Sequence, residues 1–488
     1  MSRILSCLRP WFQLAASVAA VAFSGCTGVG PHEDPDAAHT AADAVLAPVV
    51  AGAGGLASAA GTVSAAASDS VLTPEPSDLP TDPSGHAVLV HLALQLDPDL
   101  ADADRAQRIS FAVAGVLDRA PAASLQITRR YNLLASLAVV ATDAGLAALE
   151  ADEGVSAVSP DETWTVGLAE VAKVIGAAAI SPGAAKVPVL VTGKGVRVAV
   201  VDTGVAGSHP DLAGRVVAEQ CFAWGACPPS GANQGPVATD SHGHGTHVAG
   251  IIAGQGKVAS PGIAPGAQIV AVRVTDKKGR ARASDILAGL DWVATQSVSL
   301  GIQIINVSLG GGTAYKKACD GWQPAAAAAV AFLAAKGVAV FAAAGNDGAP
   351  GVSAPACVTY AIAVGATYDA KLPAQAYANG CADLAPKPGM LACFSNHGAN
   401  LDLVAPGARV HAAKPGGGVA AMSGTSQASP VAAAVAALVL SCQPKLGVAK
   451  LRSLLRTTGQ AVAMPGGSKV SEVRAALAVQ MACGKPGP

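Results

Sequence analysis

The sequence predicts an α/β protein: a three-layer, doubly wound domain on a mainly parallel sheet, preceded by a small α+β domain. Three observations carry this. Apolar runs at 196–201, 269–274, 304–308 and 338–343 read as strands buried on both faces, the pattern of a parallel sheet. Helical stretches at 284–295 and 324–336 separate them, the alternation that builds doubly wound sheets. Ahead of them, residues 86–159 follow a β-α-β-β-α-β order, which folds as a compact open sandwich of the ferredoxin-like kind.

From the N-terminus, Arg3 and Arg9 flank the start of an apolar run at 11–23, too short for a permanent bilayer-spanning helix. Residues 1–25 therefore read as a signal peptide. The run ends in Phe23-Ser24-Gly25-Cys26, which resembles a bacterial lipobox with Cys26 as the lipidated residue. Phe23 stands where that motif usually has Leu, so ordinary cleavage after Ala20 stays open. Residues 26–85, rich in Ala, Gly, Pro, Ser and Asp, have no periodic apolar face and read as a flexible tether.

In the small domain the strands fall at 87–96, 125–131, 134–141 and 155–159. Its helices fall at 102–117, where Ile109, Val113, Val116 and Leu117 share a face, and at Asp143–Ala151. It contains no catalytic constellation.

Hydrophobic residues make up 51% of the chain but aromatics only 3%, so the core must be filled by Ala, Val and Leu. A net charge of −1 without a basic patch excludes nucleic-acid binding. Of ten cysteines none forms a CxxC pair, which argues against a zinc site. Behind an export signal, the later eight read as disulfides, with Cys221–Cys227 and Cys381–Cys393 pairing as sequence neighbours. The apolar stretches 325–344 and 431–442 are core elements: Lys336-Gly337 interrupts the first, and the second is too short to span a bilayer.

The chemistry concentrates in a few short motifs. Asp202-Thr203-Gly204 puts an acid at the carboxyl end of a central strand, where open α/β sheets build their sites. In the segment 240–250, His244 precedes a small-residue helix beside two glycines, so its ring is free to project as a base. His247 falls within that helix and reads as a structural histidine. A metal site on His242, His244 and His247 would want a deliberate ligand geometry and an outside carboxylate, and no metal ligands are assigned. The stretch 422–430 is a glycine-permitted turn into a buried Ala/Val helix. It sets Ser426 near a helix start with its hydroxyl exposed and free N–H groups at hand to meet a negative charge. Alone, such a serine could equally be an N-cap. Ser308-Leu309-Gly310 is a glycine-flanked extended segment able to pair with a peptide by strand addition, and Asn346 offers a side-chain amide just past a strand end.

Taken together, Asp202-Thr203-Gly204, His244-Gly245-Thr246-His247 and Gly424-Thr425-Ser426, in the order acid, base, nucleophile, resemble the subtilisin family of serine proteases from about residue 86 onward. The resemblance implies a subtilisin-like peptidase domain at 167–488 and an inhibitor-like propeptide at 86–166 that templates folding and is cut off between 160 and 172. It implies a serine endopeptidase working through an acyl-enzyme. Asp202 would orient the imidazole and His244 would take the proton from Ser426. The Asn346 side chain with the Ser426 N–H would hold the oxyanion, and Ser308, Leu309 and Gly310 would flank the substrate. No catalytic cofactor is implied. Structural calcium is left open, with no ligands assigned: Asp211 and Asp402 align with cation-binding acids of many subtilisins, but the loop 254–261 is short and lacks the usual Asn-rich segment. Gln427 stands where the family usually has Met. The expected partners are protein or peptide substrates, the chain's own propeptide and, through Cys26, a membrane. The expected state is a monomer exported from a bacterial cell.

Overall fold

The computed structural model describes residues 85–97, 100–161, 163–165 and 191–484. The signal peptide, Cys26 and nearly all of the tether therefore lie outside the described residues, as does the segment 166–190.

The small domain comprises β1 (His86–Leu92), α1 (Asp102–Arg119), β2 (Leu125–Arg130), β3 (Ser136–Ala141), α2 (Asp143–Ala151) and β4 (Val155–Pro160). Its antiparallel sheet runs β2-β3-β1-β4. Three strands are shorter than the sequence suggests, β2 by the single residue Tyr131. β1 stops at Leu92 because its partners β3 and β4 run out there. β3 begins at Ser136 because Tyr131, Leu133 and Leu134 leave the sheet and bury themselves in the larger domain. Alternate side chains of β1 serve two cores, as the period of two in a strand requires. Val88, Val90 and Leu92 pack with Ile109, Val113 and Val116 of α1, while Leu89 packs with the helices of the larger domain.

The larger domain opens with β5 (Thr163–Thr165), β6 (Arg197–Asp202), β7 (Val216–Cys221), α3 (His244–Ala253), β8 (Gln268–Arg273), β9 (Arg280–Arg282) and α4 (Ala283–Gln296). It continues through β10 (Ile302–Val307), β11 (Gly311–Tyr315), α5 (Pro324–Ala335), β12 (Ala339–Ala343), β13 (Val352–Ala354) and β14 (Ile362–Thr367). After the short pair β15 (Gln375–Ala376) and β16 (Ala382–Asp383) come β17 (Leu403–Pro406), β18 (Val410–Lys414), β19 (Gly418–Met422) and α6 (Thr425–Cys442). It closes with α7 (Val448–Thr457), β20 (Gln460–Ala463), β21 (Lys469–Glu472) and α8 (Ala475–Cys483).

Nine strands form one sheet in the order β20-β21-β17-β14-β12-β10-β6-β8-β7. Every neighbouring pair is parallel except β20 against β21. α3 and α6 cover one face and α4 and α5 the other, which gives the three layers. α6 is long and apolar enough to cross a membrane, but it is buried in the middle of the molecule, so its apolar run serves the core. All eight later cysteines are paired: Cys221–Cys227 and Cys381–Cys393, the neighbours, and Cys319–Cys357 and Cys442–Cys483, which close longer loops.

Candidate active site

β6 lies inside the sheet, third from the β7 edge, between β10 and β8, and its last residue, Asp202, is fully buried. Asp202 Oδ1 accepts from the Thr203 N–H at 2.7 Å and from His244 Nδ1 at 2.8 Å. His244 is the first residue of α3, and Gly243, the N-cap, takes a left-handed φ of 106°. Gly245 is needed because a Cβ there would lie 2.1 Å from the Gly204 carbonyl oxygen and 3.1 Å from the Asp202 Cβ. Asp240 ties the two elements together. It accepts from the Thr203 hydroxyl at 2.9 Å, from the His242, Gly243 and Thr246 N–H groups, and from the Thr246 hydroxyl.

The His244 ring does not project into solvent as the sequence suggests; it is fully buried. Burial is the largest influence on its pKa and pushes it down. The Asp202 charge and hydrogen bond, with Asp240 behind them, outweigh that and leave it raised above the ordinary histidine value.

Ser426 is the second residue of α6 and is also buried, with 3% exposure, so its hydroxyl is not the exposed group expected from the turn. Its Oγ donates to the Ser308 carbonyl at 2.9 Å, and the Ser308 hydroxyl returns a bond to the Ser426 carbonyl at 2.7 Å. Asn306 and Ser429 extend the network: Asn306 Nδ2 donates to the Ser308 hydroxyl, and the Ser429 hydroxyl donates to Asn306 Oδ1, both at 2.8 Å. Among the described residues Ser426 makes no hydrogen bond to His244. The group facing His244 Nε2 is instead the Gln427 carboxamide nitrogen, at 3.4 Å. The hydroxyl rests on the carbonyl just beyond the end of β10.

Asn346 sits past the end of β12, as expected. Its Oδ1 accepts from the Thr425 N–H at 2.8 Å and from the Thr425 hydroxyl at 3.0 Å. With Oδ1 so held, Nδ2 is left as the outward donor beside the first turn of α6. The Ser426 N–H has no acceptor among the described residues.

The histidine trio does not converge. His247 Nε2 donates to the Val410 and Ala420 carbonyls at 3.0 and 3.2 Å, and burial lowers its pKa to about 3. It pins α3 to the β18–β19 hairpin, the structural role expected of it. Among the described residues no group of three His, Cys, Asp or Glu could hold a metal ion.

The two acids aligned with cation sites do not fit a cation. Asp211 accepts from the Lys257, Val258 and Ala259 N–H groups, the last two at 2.9 and 2.8 Å. The loop thus presents N–H donors where a calcium ion would need oxygen atoms. Asp402 is held by Arg452 through Nε at 2.8 Å and Nη2 at 2.7 Å, so a guanidinium supplies the positive charge.

Sequence reasoning missed the short strand β9 and its partner β5. β5 pairs antiparallel with β9, matching Thr163 with Arg282, Trp164 with Ala281 and Thr165 with Arg280. β5 also touches β11, which follows directly after Ser308-Leu309-Gly310. The chain's own segment is therefore already added as a strand in this place. Gly279, with φ of 74° just before a three-residue strand, was the signal available in the sequence. Also missed were two acids of α4 that bind the small domain. Asp291 accepts the Asn132 and Leu133 N–H groups at 3.0 and 2.9 Å, and Asp285 pairs with Arg129 at 2.5 Å. Burial raises the Asp291 pKa to about 6 against those hydrogen bonds, and it raises the Asp285 pKa as well. Two acids in an otherwise apolar helical pattern were their trace in the sequence.

The chain is similar to known proteins. The family model described as "Subtilase family" matches residues 193–473. Subtilisin BL of Lederbergia lenta is 36% identical over 270 residues, spanning 55% of this chain and 84% of that protein. M-protease of Shouchella clausii (strain KSM-K16) is 36% identical over 270 residues, spanning 55% of this chain and 60% of its own length. A solved structure titled as a cold adapted subtilisin-like serine proteinase is 30% identical, with a TM-score of 0.46, covering 58% of this chain and 90% of its own. On the family match and the identity of these relatives, the chain belongs to the subtilase family and is a serine-type endopeptidase of subtilisin-like fold.

Proposed function

We propose that this chain is made as a zymogen and cleaves peptide bonds through Asp202, His244 and Ser426. The observation that carries the reading is the buried 2.8 Å bond from His244 Nδ1 to Asp202. It fixes the tautomer with the lone pair on Nε2, which is what a general base for a serine needs. Rotation about the Ser426 Cα–Cβ bond takes the hydroxyl from the Ser308 carbonyl to that lone pair. Ser426 Oγ then attacks the scissile carbonyl while His244 receives the proton. Asn346 Nδ2 and the Ser426 N–H meet the oxyanion, and His244 returns the proton to the leaving amine. Water repeats the sequence to release the acyl group. Ser308, Leu309 and Gly310 on one side and β9 on the other receive the substrate as an added strand.

Residues 86–166 act as the propeptide in this reading. The pairing of β5 with β9 supports it, as do the contacts of Asp291 and Asp285 with the small domain. Because the strand in the cleft ends at Thr165, the cut falls shortly beyond it, before about residue 172. Export to an oxidising compartment, with Cys26 as a lipid anchor, rests on residues 1–26, and the four disulfides support the compartment. The test is replacement of Ser426 by Ala, which should abolish hydrolysis of a denatured protein substrate and leave the precursor uncut. A variant S426A that still hydrolyses the substrate ends the reading.

A further inference from the structure

Gln427 directly follows the nucleophile and is fully buried, yet the mechanism gives it no task. Its Nε2 lies 3.4 Å from His244 Nε2 and 3.9 Å from the Met422 sulfur, while its Oε1 is buried without a partner. The Oε1 is turned towards the Gly424 end of the helix, 3.0 Å from where a Cβ on that glycine would stand. His244 Nδ1 is committed to Asp202, so Nε2 carries the lone pair and the Gln427 N–H is the donor facing it. Ser426, the other group with a claim on that lone pair, is bonded to Ser308.

We propose that Gln427 is a positioning residue, whose carboxamide N–H caps the lone pair of the resting base and holds His244 neutral while the Ser426 hydroxyl waits on the Ser308 carbonyl. This inference rests on the triad reading above. A donor to Nε2 can bind only the neutral ring, because protonation removes the lone pair it uses. It therefore opposes the groups that favour the charged ring. Those are Asp202 from β6 and Asp240 from the segment before α3; His242 in that segment and His247 one turn along α3, both lowered by burial, stay neutral where the raised His244 titrates. A peptide entering as a strand beside Ser308 offers its own N–H groups to the carbonyl that Ser426 occupies. Substrate thereby releases the hydroxyl, which displaces the Gln427 N–H from the base.

The experiment measures the rate of Ser426 labelling by a small fluorophosphonate, as a function of pH, in the processed full chain and in Gln427→Met. Methionine nearly matches glutamine in volume and has no N–H to donate. The midpoint of the acid limb should rise in Q427M by at least about 0.5 pH unit, because the neutral ring has lost its donor. Gln427→Glu, which sets a carboxylate against the ring, should raise it further, and Gln427→Leu carries the same expectation as Q427M if that variant fails to accumulate. An unchanged midpoint overturns the inference. A lowered midpoint also overturns it, since it would mean that the carboxamide oxygen faces the ring. If the unsubstituted protein takes no label at Ser426, the triad reading fails and this inference with it; if it labels normally and only the midpoint does not move, the triad reading stands alone.

Discussion

Thr425 holds Asn346 by two hydrogen bonds, its N–H at 2.8 Å and its hydroxyl at 3.0 Å, both to Oδ1. An amide so gripped has one free end, the Nδ2 donor. Its value lies in being oriented before charge develops, at no cost of reorganisation during the reaction. Replacing Asn346 by Ala should lower kcat roughly a hundred- to thousand-fold with little change in KM, about 3–4 kcal/mol, a magnitude known from subtilisin itself. Thr425→Val, which keeps the N–H but loses the hydroxyl, should give a smaller loss of the same kind. Steady-state kinetics on a peptide amide checks both, and a change confined to KM would contradict the assignment.

The pH profile follows from His244. Its pKa is raised because Asp202 and Asp240 together outweigh burial, and the base must be neutral to accept a proton. Activity is therefore full above the raised pKa and falls as pH drops through it. The acid limb of kcat/KM should have its midpoint above the ordinary histidine value of about 6.5. Asp202→Asn should cost several orders of magnitude in kcat, since it removes the acceptor that sets the tautomer.

Docking of the small domain depends on Asp291, which accepts the N–H groups of Asn132 and Leu133 in a buried place. Alanine there leaves those donors unpaired, a cost of about 2 kcal/mol, or roughly thirty-fold in the docking equilibrium. In an uncut S426A precursor, D291A should make residues 86–165 correspondingly more open to an added protease. Equal digestion rates would argue that the contact does not hold the domain.

Much of this was legible before any coordinates. The parallel sheet announced itself because strands buried on both faces must be apolar throughout, and β6 to Asp202 is the plainest case. The buried Asp202–His244 pair was legible because each member needs a particular backbone, and glycines 204, 243 and 245 mark where the chain allows it. The state of the site was not legible. Whether Ser426 rests on Ser308 or on His244 is decided by the side chains of three distant elements. The strand β9 is only three residues long and shows no period; its meaning comes from β5 lying against it. The partners of Asp211 and Asp402, which align with cation-binding acids, were not legible because a carboxylate in a loop looks the same whether its partner is an ion, an N–H or a guanidinium.

Since Asp211 is saturated by backbone N–H groups and Asp402 by Arg452, these two places should not respond to chelation. Thermal unfolding with and without EDTA should give the same midpoint within about 1 °C. Asp211→Ala should destabilise by about 2–3 kcal/mol through the donors it leaves unpaired. A large fall in the midpoint on chelation would show that a cation is bound after all.

The central claim is that Ser426 is made nucleophilic by His244. Treating the processed chain with a fluorophosphonate and mapping the adduct by mass spectrometry tests it directly. The account predicts one adduct, on Ser426, absent from S426A and slowed by orders of magnitude in His244→Ala. A processed, folded chain that takes no adduct at Ser426, or that labels equally well without His244, would contradict it.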